Sequence, residues 1–118
     1  MAKRALLIST DLIFTSKITG TANALGLQVD VLGNSALLKD RVTAEEYECL
    51  IVDLAFPNVN PAELIAALHN TSVRKTIAFG AHVNARLLTL ASEAGFSEVM
   101  PRSKFDATLA DILRSNLE

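Results

Sequence analysis

Tryptophan is absent from this chain of 118 residues, and tyrosine and cysteine occur once each. With so few large flat rings, stacking platforms for bases or sugars are scarce. The lone Cys49 rules out an intrachain disulfide and suits a reducing compartment, so the expected location is the cytoplasm. Long apolar runs are missing too: none approaches the ~20 residues that cross a bilayer. At the start, Lys3 and Arg4 are followed only by Ala5–Ile8, too short an apolar stretch for a signal peptide. An excess of positive charge is also lacking. Eleven Lys and Arg against 13 Asp and Glu leave a net charge of −2. That supplies no global field to hold nucleic acid or an anionic membrane, and neither is expected as a partner.

What is present is ordinary globular material, half apolar and one-fifth charged. A chain this long buries about two-thirds of its unfolded surface, enough for a core without staples. Residues 1–118 are expected to form a single domain. Short apolar runs at Ala5–Ile8, Cys49–Val52 and Thr76–Phe79 each end at a polar break. They predict strands buried on both faces, as in a parallel sheet. Val29–Leu32 and Glu98–Met100 are weaker strand signals. Between the runs lie helical patterns. Phe14, Ile18, Ala22 and Leu25 recur every three or four residues before Gly26. Ser35–Thr43 predicts a shorter helix. Asn60, Pro61 and Glu63 read as a cap, a first-turn proline and a capping-box acid. Asn84–Ala94 ends at Gly95, and Ser103 and Asp106 open a last helix carrying Leu109, Ile112 and Leu113.

Five β-α units joined by short turns give, with right-handed crossovers, a doubly wound parallel sheet in three α/β/α layers. In such sheets the functional crevice lies at the carboxyl ends of the strands. The residues there are Ser9, Thr10 and Asp11, then Gly33, Asp53, Gly80 to His82, and Pro101 with Arg102. Asp53 stands out, directly after Leu50-Ile51-Val52 in the central strand. A carboxylate there can be a nucleophile or a metal ligand. It can equally be bonded to loop amides or to a nearby cation, and position alone leaves both open.

The run Cys49-Leu-Ile-Val-Asp53-Leu-Ala-Phe-Pro57-Asn-Val-Asn-Pro-Ala-Glu63-Leu64 resembles the phosphoacceptor segment of response regulator receiver domains. Glu93-Ala94-Gly95-Phe-Ser-Glu-Val-Met100-Pro101-Arg102 resembles the family's last helix–strand passage. The resemblance covers essentially the whole chain and implies the flavodoxin-like, CheY-like fold. It also implies phosphoryl transfer from a histidine kinase to Asp53, with Mg²⁺ held by the acceptor and an acidic pair after the first strand. A Thr or Ser after the fourth strand and a Lys after the fifth would contact the phosphoryl oxygens.

The sequence departs from that pattern at nearly every position. Ser9 and Thr10 stand where the acidic pair is expected, and hydroxyls are poor Mg²⁺ ligands. Asp11 is the one acid nearby and is expected to cap the first helix. Asp53 and Asp11 are thus the only weak candidate metal ligands, too few for a hard cation. Gly80 takes the Thr/Ser position and Arg102 the Lys position; Arg102 keeps the charge but is bulkier and planar. With no metal to share the carboxylate, Arg102 is expected to take Asp53 in a two-pronged pair that locks the crevice. The fifth strand offers Val99 and Met100, with no aromatic to swing behind a recruited hydroxyl. His82 reads as a polar loop residue, His69 as a helix-end charge and Cys49 as core. Ser9-Thr10 with Thr15-Ser16 hints at a flavodoxin-type phosphate loop, but no loop glycine supports it.

The expected function is therefore a stand-alone, degenerate receiver that signals within a two-component system by protein–protein interaction, not an enzyme and without a cofactor. Its partner would be a histidine kinase or a downstream target, bound through residues 84–117, the family's usual contact face. The alternative is an orthodox response regulator that accepts a phosphoryl group on Asp53 with Mg²⁺.

Overall fold

The computed structural model describes residues 3–118. Five strands alternate with helices in chain order: β1 (Arg4–Ile8), α1 (Leu12–Ala24), β2 (Gln28–Leu32), α2 (Leu38–Ala44), β3 (Cys49–Asp53) and α3 (Pro61–Ala67). After these come β4 (Lys75–Gly80), α4 (Ala85–Ala94), β5 (Glu98–Pro101), α5 (Arg102–Ala107) and α6 (Leu109–Leu117). All neighbouring strands run parallel, in the order β2-β1-β3-β4-β5. The doubly wound sheet expected from the sequence is the architecture found.

Successive strand residues point to opposite faces, and this alternation divides the core in two. Ala5, Leu7, Ile51, Ile77 and Phe79 pack on one side with Phe14, Ile18, Phe105 and Leu113. Leu6, Ile8, Leu50, Val52 and Ala78 pack on the other with Leu38, Leu64, Ala91 and Phe96. β1 and β3 need apolar residues at almost every position because both of their faces are covered. On the first side Phe79 stacks on Phe105 at 4.3 Å between centroids, and Phe14 meets Phe79 edge-on at 5.3 Å. This aromatic group lies directly beneath the carboxyl ends of β4 and β5.

Local signals set the helix ends. Asn60 accepts from the Glu63 amide at 3.2 Å with Pro61 in the first turn, so α3 starts where the sequence predicts. Gly95 closes α4 at φ 109°, a left-handed conformation that a side chain would strain. Two differences appear. Residues Ser35–Leu37 form a 3₁₀ turn that leads into α2, so that segment is not one uniform helix. The last helix is also broken in two at Thr108. Its hydroxyl and its amide both bond to the Lys104 carbonyl, at 2.8 and 3.1 Å, and its φ of −116° leaves the helical range. Asp106 consequently lies inside α5 rather than at the start of the last helix.

Candidate functional site

The parity that sorts the core also places the site. Ala5 is level with Cys49 and Leu7 with Ile51 across the β1–β3 pairing. Extending both strands by two residues brings Ser9 beside Asp53 on the same face. The Ser9 hydroxyl donates to Asp53 Oδ2 at 2.9 Å, and both residues are only 3% exposed. Asp53 Oδ1 accepts from the Ala55 amide at 2.9 Å, a turn in which the side chain folds onto its own loop. The Ser9 oxygen in turn accepts from the Asp11 amide at 3.2 Å. A chain of hydrogen bonds therefore runs from the β1–α1 loop through Ser9 and Asp53 into the β3–α3 loop. Each buried polar atom along it has a partner, as burial requires.

Asp11 serves two other groups. Its Oδ1 caps α1 by accepting from the Phe14 amide at 3.0 Å, and its Oδ2 accepts from Arg102 Nη2 at 2.7 Å. The Phe14 amide first, and the Arg102 guanidinium second, hold the Asp11 carboxyl below its ordinary range. The Arg102 guanidinium lies over the Phe14 ring, 4.2 Å from its centroid.

The expected Arg102–Asp53 pair is therefore corrected: Arg102 binds Asp11. Asp53 already has a donor on each oxygen and is buried, so a guanidinium reaching it would shed its water for little gain. Asp11 offers a half-exposed carboxylate at the surface, and the Phe14 ring supports the Arg102 side chain on its way there. Thr10, expected beside Ser9, is exposed.

Position 80 is closed by packing. A Cβ added to Gly80 would lie 3.1 Å from Leu54 Cβ and 3.4 Å from its Cδ1, and Leu54 itself is buried. The residue that follows Asp53 thus crowds this position and would have to give by a few tenths of an ångström to admit a side chain. A small cavity of about 50 Å³, lined by Leu54, Ala55, Ala81, Asn84 and Leu87, lies alongside. His82 is exposed at the rim, and His69 is exposed near the end of α3. Cys49 is fully buried, and burial pushes its thiol up to about 12, far from the reactive range. Thr15, which the sequence paired with Ser16 as a phosphate-loop signal, bonds through its hydroxyl to the Asp11 carbonyl.

These residues do not fit a divalent cation. Asp53 accepts from Ser9 and Ala55, Asp11 is taken up by Arg102 and Phe14, and among the described residues no third acid joins them. Among the described residues no group of three or more His, Cys, Asp or Glu comes together in metal-binding geometry. Mg²⁺ asks for near-octahedral oxygen ligation with carboxylate charge, and a neutral serine beside one shared carboxylate does not supply it.

The fold is that of response regulator receiver domains. The chain is similar to the signal receiver domain of a response regulator from Bermanella marisrubri, with a TM-score of 0.82 and 18% identity over 98% of each chain. It is similar to the receiver domain of the sensor histidine kinase PA1611 from Pseudomonas aeruginosa PAO1, a structure described with a magnesium ion coordinated in the active site cleft. There the TM-score is 0.80 and the identity 15%, over 98% of each chain. It is also similar to HP1043, an orphan response regulator of H. pylori, with a TM-score of 0.79 and 15% identity over 98% of this chain and 97% of that one. No family model matches the sequence, and no curated protein matches it. Among the described residues no helix is long and apolar enough to cross a membrane.

Proposed function

We propose that this domain is a degenerate receiver, a non-enzymatic signalling module of a two-component system. It binds a partner protein whether or not Asp53 carries a phosphoryl group. The observation that carries this reading is the setting of Asp53: it is buried, each oxygen accepts one uncharged protein donor, and Ser9 stands beside it where a second acid would be needed. Phosphoryl transfer to a carboxylate needs a cation to offset the charge that builds up, and one carboxylate beside a neutral hydroxyl is a poor site for it. The reading gains support from Gly80, which offers no hydroxyl to sense a phosphate and where an added Cβ would crowd Leu54 at 3.1 Å. A ligand shifts an equilibrium only through contacts that differ between two states, and those contacts are missing here. The partner, a histidine kinase or a downstream target, would bind through α4, β5 and the α5–α6 pair.

One observation favours the alternative, an orthodox phosphoacceptor. Asp53 ends the central strand in the crevice of a receiver fold, and the related PA1611 domain is described with magnesium in its cleft. Amide NMR separates the two. Titration with Mg²⁺ and then beryllofluoride should leave the amides of Ser9, Asp53 and Gly80 unmoved. Partner affinity should change less than tenfold, about 1.4 kcal/mol, on Asp53→Ala or on acetyl-phosphate treatment. Sub-millimolar Mg²⁺ binding at Asp53, or a larger affinity change that needs both Asp53 and Mg²⁺, would replace this reading with the orthodox one.

A further inference from the structure

The two pieces of the broken last helix are held in unequal ways. α6 sets Leu109, Ile112, Leu113 and Leu117 into the core. α5 has six residues and buries one of them, Phe105. A helix that short has little stability of its own and rests on what it packs against. Its ends add little. Pro101, at its start, supplies no side-chain cap. Thr108 ends it by turning both its hydroxyl and its amide back to the Lys104 carbonyl. The chain bends there at φ −116°, and only then does the Ile112 amide donate to the Thr108 carbonyl and begin α6.

What else ties α5 down is charge. A groove of about 460 Å³ lies between α1 and α5, with Phe14 and Lys17 from the one and Arg102, Ser103 and Asp106 from the other. Two ion pairs join the helices at this groove: Arg102 to Asp11, the cap of α1, and Asp106 to Lys17. The four side chains are 35–53% exposed, so water and salt reach both pairs. The one apolar anchor is the Phe105 ring, stacked on Phe79 at 4.3 Å and 6.0 Å from Phe14. Lifting α5 would withdraw that ring and open Phe14 and Phe79 to the groove. It would leave the apolar contacts of α6 in place.

We infer that α5 is a strap latched by charge: it opens as a unit about Thr108, releasing Phe105 from Phe79 and both ion pairs from α1, while α6 stays packed. This does not depend on whether Asp53 accepts a phosphoryl group. The test is native-state amide hydrogen exchange, read by NMR on the whole chain at low salt and in about 1 M sodium chloride. At low salt the amides of Asp106 and Ala107 should share one protection value, at least ~100-fold below that of Ile112 and Leu113 in α6. High salt should speed the α5 pair about threefold and should not speed the α6 pair. Lys17→Gln, at an exposed position, should speed the α5 pair already at low salt and reduce the salt effect. Thr108→Ala removes the hydroxyl that competes for the Lys104 carbonyl, and should slow the α5 pair toward the α6 rates. Equal protection of α5 and α6 overturns the inference. So does faster exchange in α5 that neither salt nor Lys17→Gln changes, which is the fraying of a short helix without a latch. An unchanged rate in Thr108→Ala also overturns it, because the hinge is then not at that residue.

Discussion

The sheet carries two polar clusters, one at each end, and they are built differently. At the amino end Asp30 is the hub. It accepts from Tyr47 Oη at 2.7 Å, from Arg4 Nη1 at 3.3 Å and from Gln28 Nε2 at 2.9 Å. Arg4 also bonds Glu45 and the Glu46 carbonyl and lies over the Tyr47 ring, while Arg41 donates to Tyr47 Oη. At the carboxyl end Asp53 has two donors, one per oxygen, and neither is charged. The amino-end cluster is redundant, so that losing one donor leaves two. The carboxyl-end cluster has none to spare. Both are fully satisfied, and full satisfaction is what a structural cluster needs.

The sharpest way to test this contrast is to remove one hydroxyl from each end. Ser9→Ala leaves Asp53 Oδ2 buried without a protein donor and deprives the Asp11 amide of its acceptor. It should destabilise the fold by about 1–3 kcal/mol, read as a lower urea midpoint with an unchanged slope. Asp53→Asn should cost less than ~1 kcal/mol, because the amide oxygen still accepts from Ala55 and its NH₂ can donate to Ser9. If Asp53→Asn instead raises the melting temperature, the carboxylate is under electrostatic strain and the structural reading of this cluster fails.

Tyr47→Phe, the matching deletion at the amino end, should cost about 0.5–1.5 kcal/mol. Arg4 and Gln28 remain on Asp30, and its side chain is a quarter exposed. This cluster also shapes the pH dependence of stability. Burial pulls the Asp30 carboxyl up, but the Gln28 and Tyr47 hydrogen bonds and the positive charges of Arg4 and Arg41 outweigh it, so its folded pKa lies below the ordinary value. That contribution is present above the unfolded value near 3.8 and is lost as pH falls through the lower folded one. Burial, with help from Asp30, pushes the Tyr47 hydroxyl above 10. Its contribution is present below that value and is lost as pH rises through the higher folded one. The buried Cys49 thiol, pushed from 9.0 up to about 12, loses stability over the same alkaline range. Tyr47→Phe should therefore shrink the alkaline limb to the part that Cys49 supplies and leave most of the acid limb. An alkaline limb unchanged in Tyr47→Phe would assign all of it to Cys49.

The two ends were not equally readable from sequence. The strands, the cap at Asn60 and the stop at Gly95 all come from short-range patterns, and each lies within a residue or two of where the pattern puts it. Asp53 and its crevice follow from strand order alone. What escaped were the choices of partner. Ser9 was weighed as a missing metal ligand, not as a donor to Asp53, although the odd-numbered parity of β1 and β3 puts them side by side. Arg102 was given to Asp53 because both lie at the same edge. Which acid it reaches depends on the burial of one and the exposure of the other, and neither is visible in one dimension. The amino-end network joins residues from four separate segments. Its one sequence signal was a charge, Asp30, inside an apolar strand. The helix break at Thr108 rests on a hydroxyl that competes with the helix's own bonding, which a periodic pattern does not register.

Arg102→Ala carries the smallest expected effect and separates the two accounts of the crevice. In the expected Arg102–Asp53 pair the guanidinium neutralises a partly buried carboxylate, and deleting it would cost about 1–3 kcal/mol. In the arrangement found, Arg102 is 38% exposed on its side chain and pairs with a carboxylate that also caps α1. Water and salt screen such a pair, and the Phe14 amide keeps its cap when the arginine is gone. Arg102→Ala should therefore lower the melting temperature only slightly, through lost contact with the Phe14 ring and a weaker hold on Asp11. The loss should shrink further in high salt. The same substitution should raise the Asp11 pKa, since one of the groups that hold it down is removed, and should leave the carboxyl carbon resonance of Asp53 in place. If Arg102→Ala displaces the Asp53 resonance and leaves that of Asp11 in place, the guanidinium serves the buried carboxylate after all.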